Sequence, residues 1–488
     1  MPPLIVTDSV KDWPEEIPNV ELVEAWRYLT DQEFATRRNV KLYNLCRSLK
    51  YQSTGYYVSL LAEARGHKPT PGVIALQDLK TPAMIRFVGE ELDDLIQKSL
   101  EPLQSDEFEL SVYFGRNMAK RYERLGRQLF NMFQIPLLRF RFLRTNGNWQ
   151  IRSVRALGTN EVPQMHLDFM IDAATRHFNG GNSVRAKPRK TRFDLAILYD
   201  PEETEASPSN EGALKKFIKA GEQIGLACEL ITRDDYGRLM EFDALFIRQT
   251  TAINHYTYRF ARRAANQGLV VIDDPVSIAR CTNKVYLAEL LARHKIPMPE
   301  GLVVHRDNAN EIAEKLGFPC VLKLPDSSFS QGVVKVQNEE ELQLRLKEFF
   351  VQSEMLVAQK FLPTTFDWRI GILDQRPLFA CQYFMAPNHW QIIHWSKQGN
   401  DRYGNFKTVP VELAPRKAVQ MALKAANLIG DGLYGVDVKE SDGNFYVIEV
   451  NDNPNMDTGV EDEILRDDLY RRVMESFLRR IEQSKSAR

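Results

Sequence analysis

The sequence predicts a multidomain protein in which an α/β region is followed by an α+β region. Three observations predict it. The chain has 488 residues, and domains usually run from about 50 to 250 residues, so two or three are expected. Residues 193–280 alternate strand and helix patterns, as a helix-covered parallel sheet does. From residue 281 the pattern changes to helices mixed with hairpins.

Residues 1–182 carry strand patterns in "LIVTD", "PLLRFRFL" and "WQIRSVRAL", and a helix is expected within "DQEFATRRNVKLYNLCRSL". This region reads as an additional N-terminal α/β domain without evident local chemistry. In "GGNSVRAKPRKTR", residues 180 to 192, glycines, a proline and basic residues break the periodicity, so a linker is placed at 183–192. Strand "FDLAILY", helix "ALKKFIKAGEQIG", strands "CELIT" and "DALFIR", helix "YRFARRAANQG" and strand "LVVID" then outline a Rossmann-like domain over 193–280. The last domain, 281–485, opens with helix "KVYLAELLARHK" and continues through "LVV", "ANEIAEKLG", "CVLKLP" and "VVKVQ". There Asn308 followed by Glu311 resembles a capping box, and Gly317 stands where a C-terminal cap belongs. Pro415 and Gly430 bracket the helix "RKAVQMALKAANLI". The closing "EQSKSAR" is expected to fray.

Composition narrows the function classes. With 43% hydrophobic and 26% charged residues and a net charge of −1, the chain has the make-up of a soluble globular protein. It lacks the charge excess of a nucleic-acid binder, and none is expected as a partner. The five cysteines, Cys46, Cys228, Cys281, Cys320 and Cys381, are scattered and form no CxxC. That pattern argues against a disulfide framework or a zinc knuckle and fits a reducing cytoplasm. "MPPLIVTDSVKDWPEE" reaches acidic residues before any long apolar run, and "IPLLRFRFL" is short and carries two arginines. Neither a targeting segment nor a membrane span is expected.

The chemistry concentrates in four stretches. "LYGVDVKESDGNFYVIEVN" reads as two strands joined at Asp442-Gly443. Alternation puts Glu449 and Asn451 on one face, and Asp437 on the partner strand can meet them. Two carboxylates and an amide are hard oxygen donors suited to Mg²⁺, which commonly takes further ligands from nucleotide phosphates; the bland reading is a hairpin with a wet acidic side. Upstream, "CVLKLPDSSFSQGVVKV" sets Lys323 on an apolar strand before a loop containing Ser327, Ser328, Ser330 and Gly332. Small residues let backbone N–H groups approach phosphate oxygens, although many such loops are simple turns. A buried lysine is normally there to meet an anion. "LVAQKFLPTTFDWRIGIL" ends a strand near Gln359, Lys360 and Phe361 and begins the next with Asp367 and Arg369, which in isolation read as a structural ion pair. Finally, "NHWQIIHWSKQGN" holds His-Trp pairs at 389/390 and 394/395 that either line a substrate pocket, with Lys397 or Arg402 holding a carboxylate, or pack as a half-buried strand.

Taken in order, these stretches resemble the ATP-grasp superfamily, and within it the RimK-like carboxylate–amine (glutamate) ligases, over roughly residues 193 to 485. The resemblance implies an ATP-grasp fold preceded by a Rossmann-like domain, with residues 1–182 as the further domain that some RimK-like ligases carry. It implies ATP held by Lys284, Lys323, Ser328, Ser330, Gly332, Gln359, Lys360, Phe361, Asp367 and Asn405. Two Mg²⁺ ions, with Mn²⁺ as a substitute, would sit on Asp437, Glu449 and Asn451. Arg369 and Arg402 take the catalytic positions. In such ligases a substrate carboxylate attacks the γ-phosphate and an amine displaces phosphate from the acylphosphate. The implied partners are ATP and an amino acid or peptide, including a protein terminus, in an enzyme that commonly forms homo-oligomers. Two departures concern the acceptor side. The strand "LFACQYFMA" lacks the family's frequent basic residue, and in "DRYGN" Arg402 falls one position early while Asn405 aligns. A phosphotransferase using the same grasp and a non-catalytic nucleotide-binding module remain as alternatives.

Three look-alikes carry no weight. "GDGLYG" matches GxGxxG but follows a helix and precedes a strand, the reverse of the dinucleotide context. "HRD" at 305 to 307 lacks the kinase asparagine, since Ile312 stands there. The chain has no GxxxxGK[ST].

Overall fold

The computed structural model describes residues 2–13, 17, 20–37, 40–79, 81–179, 191–203, 207–326, 332–394, 396–397 and 402–486. Ser328 and Ser330, Trp395 and most of the expected linker lie outside the described residues. The chain divides into two compact units: Met1–Arg189 with Asp234–Phe242, and Lys190–Arg233 with Asp243–Arg488.

The first unit holds two sheets. Strands β1 (Leu4–Thr7), β2 (Glu21–Glu24), β3 (Lys41–Asn44) and β4 (Lys68–Thr70) form a parallel sheet in the order β2-β1-β3-β4. Strands β5 (Glu107–Tyr113), β6 (Leu137–Thr145) and β7 (Asn148–Ala156) form an antiparallel sheet. The helix expected within "DQEFATRRNVKLYNLCRSL" is confined to Gln32–Thr36, capped by Asp31. The following "KLYN" is instead a strand, because Leu42 and Tyr43, on opposite faces, are both buried in the centre of the parallel sheet.

The second unit begins as read. Strands β8 (Phe193–Leu198), β9 (Leu226–Ile231), β10 (Ala244–Ile247) and β11 (Val270–Ile272) make a parallel sheet ordered β11-β10-β8-β9. Strands β12 (Gly301–Val304), β13 (Cys320–Lys323), β14 (Val333–Val336) and β15 (Leu356–Lys360) form an antiparallel sheet ordered β12-β15-β13-β14. Strands β16 (Phe366–Leu373), β17 (Arg376–Phe384), β18 (Phe406–Val409), β19 (Leu433–Ser441) and β20 (Asn444–Asn451) form another, ordered β18-β17-β16-β19-β20.

The Rossmann-like region and the residues after 281 share one core. Leu195, Phe217 and Phe246 pack with Phe379 and Leu433 and with Leu469, Tyr470 and Phe477 of the C-terminal helix Asp467–Ser486. Each such buried side chain contributes about 1.5–3 kcal/mol, so the helix is part of this unit. The frayed tail expected at "EQSKSAR" is absent as far as Ser486, and Lys485 pairs with Asp243 at 2.7 Å. Pro415 and Gly430 do bound the helix Arg416–Ile429. The capping box at Asn308 does not form: the helix Glu311–Leu316 starts after Asn310, and the Asn308 side chain accepts from the His305 amide instead. Gly317 ends that helix at φ 66°.

Candidate active site

The site is a cleft of about 810 Å³ within the second unit, lined by both antiparallel sheets and by segments beyond the parallel strands. On β16 and β19, Trp368, Ile370, Val436 and Val438 enter the core against the helix Arg416–Ile429. Alternation turns Asp367, Arg369, Asp437 and Lys439 to the cleft. Strand β20 needs a further device. Its buried Phe445 and Val447 have the same parity as Glu449 and Asn451, so strict alternation would send all four to one face. The register slips between β19 and β20, pairing Val438 with Val447 but Asp437 with Glu449, and leaves Ile448 as an extra residue. This bulge reverses the phase, so Val450 continues the core while Glu449 and Asn451 reach the cleft. At Asp442-Gly443, with φ 52° and 73°, the expected tight turn closes the hairpin. Gly435 is required on β19 because a Cβ there would meet Pro454 at 2.6 Å, where the chain after β20 folds back across it.

Charges interlock along this surface. Asp437 receives a bidentate pair from Arg369, both bonds 2.7 Å, and the Asn451 amide at 3.3 Å. Lys439 donates to Asp367 at 2.6 Å and to Thr364 at 2.7 Å. Lys284 stands 3.1 Å from Glu449. The structural pair read between Asp367 and Arg369 is therefore replaced by two cross-strand pairs. Burial opposes the Glu449 charge, but Lys284 and Lys323 outweigh it and lower its pKa. Burial likewise opposes the Arg369 charge, and Asp437 outweighs it and raises its pKa. For Asp367 burial prevails over Lys439, and its pKa is raised.

The facing sheet brings the second lysine. Lys323 ends β13, flanked by Val333 of β14 and Val357 of β15. It is buried and has no hydrogen-bond or ion-pair partner among the described residues. Burial, countered by Glu449, lowers its pKa to about 8. Asn283 caps the helix Lys284–Arg293 and bonds Asp326, while the Lys284 amide donates to Pro325. These bonds tie both lysines to the same loop. Gly332, at φ 73°, leads into β14. Val321, Gln359, Lys360 and Phe361 line this end; Lys335 lies 4.7 Å from the Phe361 ring and 5.7 Å from that of Trp390.

Of the sequence-derived residues, the cleft gathers Lys284, Lys323, Gln359, Lys360, Phe361, Asp367, Arg369, Asp437, Glu449 and Asn451. Gly332, Arg402 and Asn405 are not among its lining residues, although Val333, Tyr403, Gly404 and Phe406 are. Arg402 packs on Tyr403, and the Asn405 carbonyl accepts from the Phe384 amide. Of the two histidines, His389 stacks on His394 at 4.1 Å, and neither lines the cleft. Sequence reading missed Lys439, which the alternation that placed Asp437 would have found. It also missed Tyr383, Asp457 and Glu461, for which no local signal exists. Asp452 and Asn453, crowded beside Asn451 in sequence, also line the cleft but bond residues outside the hairpin: Asp452 accepts from Thr251 at 2.8 Å, and Asn453 accepts from Arg248 at 2.7 Å.

A buried lysine pair facing a carboxylate-bearing hairpin between two antiparallel sheets defines an ATP-grasp site. Comparison with known proteins agrees. Residues 281–469 match the family model described as "RimK-like ATP-grasp domain" and residues 25–173 that described as "RimK-like ATPgrasp N-terminal domain". "Alpha-aminoadipate–LysW ligase LysX" of Saccharolobus solfataricus is 31% identical over 261 residues, 49% of this chain and 88% of that protein. "Probable alpha-L-glutamate ligase" of Syntrophotalea carbinolica is 27% identical over 240 residues, 47% of this chain and 76% of that protein. A solved D-alanine–D-alanine ligase from Bacillus anthracis aligns with TM-score 0.46 and 17% identity over 61% of this chain and 100% of that chain. The chain belongs to the RimK-like ATP-grasp family and is an ATP-dependent carboxylate–amine ligase. Ligases of this kind use ATP and a divalent metal. Among the described residues no helix is long and apolar enough to cross a membrane.

Proposed function

We propose that this protein joins the amine of an amino acid or peptide to a carboxylate on a small molecule or a polypeptide terminus, through an acylphosphate made with ATP and Mg²⁺. One observation carries the reading: Asp437, Glu449 and Asn451, in register on one hairpin, share a cleft with Lys284, Lys323 and Arg369. The donor set is all oxygen and fits a hard divalent ion. Bound there, Mg²⁺, as two ions or with Mn²⁺ in its place, would offset phosphate charge. Lys323, a buried cation without an anion among the described residues, and Lys284 would hold the phosphates. Val321, Gln359 and Phe361 offer an apolar slot for the base. Arg369, whose charge Asp437 holds in place, would steady the phosphoryl group as the carboxylate attacks it. Ser328, Ser330 and Gly332 would cover the phosphates from the β13–β14 loop and exclude water from the acylphosphate. Arg402 would act from the acceptor side, and Asn405 would contribute to holding ATP. The relatives' names make glutamate and α-aminoadipate the first substrates to try. In domain terms, 1–182 is a RimK-associated region, 193–280 precedes the grasp and 281–485 forms it.

The test is ADP release by the full chain with Mg²⁺ and ATP against pooled amino acids and glutamate-ended peptides, with mass spectrometry of the products. The expected product is one amino-acid residue heavier than a pool member, formed with ADP and phosphate. A product containing AMP, or a stable phosphorylated compound made without any amine, would overturn the reading.

A further inference from the structure

The carboxylates lining the cleft differ in their partners: Asp326 accepts from the Asn283 side chain, and Asp452, without an ion pair among the described residues, accepts from Thr251. Asp367, Asp437 and Glu449 each face a cation, respectively Lys439, Arg369 and Lys284. Glu461 and Asp457 line the same cleft and form no ion pair among the described residues. Glu461 is only 1% exposed. Its Oε1 accepts from the Tyr383 hydroxyl, and its Oε2 accepts from the Asp457 amide at 2.7 Å. Asp457 accepts from the Asn210 amide at 2.6 Å. Two buried cations act on this corner from a distance, and both are engaged elsewhere. Arg369 is spent on Asp437; Arg248 donates to Ser209, Asn453, Pro208 and Pro454. Burying a carboxylate without a counter-ion is costly. Burial, and then the charge of Asp457, raise the pKa of Glu461; burial raises that of Asp457. Both groups would gain from a cation or a proton delivered through the cleft.

We propose that the missing counter-charge is the ammonium group of the amine substrate, and that Glu461 accepts the proton this ammonium loses before it attacks. The assignment rests on the ligase reading above. Tyr383 is the positioning residue: its hydroxyl holds Glu461, and its ring lies 5.2 Å from the Arg369 guanidinium, which ties the amine corner to the phosphoryl end. The step balances. One proton passes from the ammonium to the Glu461 carboxylate, and the freed lone pair forms the C–N bond at the acyl carbon. The C–O bond to phosphate breaks, with its electron pair leaving on the phosphate, which also carries away the second nitrogen proton. Glu461 returns its proton to solvent as the amide departs.

The experiment compares two nucleophiles in Glu461→Gln and in the unaltered protein, with glutamate-ended peptides as carboxylates. L-glutamate arrives as an ammonium, whereas hydroxylamine is already unprotonated at neutral pH and traps the acylphosphate as a hydroxamate. The expected result is a loss of about 100-fold or more in amide formation with glutamate, shrinking as the pH is raised, while hydroxamate formation falls only a few-fold. Retained hydroxamate formation also shows that the variant is folded and makes the acylphosphate. Equal losses with both nucleophiles in Glu461→Gln, and again in Asp457→Asn, would assign the corner a structural role and overturn the proposal. If the unaltered protein makes neither product, the ligase reading falls and the proposal with it.

Discussion

The two ends of the cleft manage buried charge in opposite ways. At the end proposed for the nucleotide, Asp367, Asp437 and Glu449 are each matched to a cation, and one cation, Lys323, stands without an ion-pair partner of its own among the described residues. At the end proposed for the acceptor, Glu461 and Asp457 have hydrogen bonds but no ion pair among the described residues. Desolvated charge is tolerated only when something offsets it. The first end therefore awaits an anion, and the second awaits a cation. Phosphate and ammonium are the complementary pair that an amide-forming ligase brings together.

The comparison breaks most visibly at the proposed metal ligands. Glu449→Ala removes a carboxylate from the hairpin and, with it, the ion pair to Lys284. Carboxylate-dependent ADP release should fall about 1000-fold, with the far-ultraviolet circular dichroism unchanged; near-normal turnover would remove Glu449 from the site.

Lys323 gives the next largest effect and a pH signature. Its pKa, lowered by burial to about 8, means that the ammonium is present below pH 8 and lost as the pH rises through it. The kcat/KM for ATP should therefore decline above about pH 8, since this parameter reports the free enzyme. Lys323→Arg should extend the plateau to higher pH, and Lys323→Met should lower kcat/KM for ATP about 100-fold at pH 7. An unchanged profile in the arginine variant would mean that another group controls the decline.

Tyr383→Phe sharpens the comparison with the smallest change. Losing the hydroxyl that holds Glu461 should reduce kcat/KM for the amine about 10-fold and leave hydroxamate formation near normal. A loss in the ATP-dependent step instead would move Tyr383 to the nucleotide end, through its contact with Arg369.

Much of this architecture was legible in the chain. Period-two and helical patterns located the parallel strands and the acidic hairpin, and Pro415 and Gly430 located a helix to the residue. Errors arose where packing overrode local preference. "KLYN" became a strand because a sheet needed its apolar centre, and "EQSKSAR" stayed helical to Ser486 on the end of a helix packed into a core. Asn308 turned its side chain to the His305 amide rather than to the next helix.

By itself, the sequence determined the kinds of chemical group available and their order: two lysines, a small-residue loop, an Asp-x-Arg strand and a three-oxygen hairpin. Only the tertiary structure decided which groups face one another. The bulge at Ile448 turns Glu449 and Asn451 into the cleft against the parity of their own strand. Register pairs Arg369 with Asp437 and Lys439 with Asp367. The fold also brings Glu461, 78 residues from Tyr383 in the chain, to the same corner. Alternation is local and can be read along a strand, whereas the neutralisation of buried charge depends on distance through space, which sequence spacing does not encode.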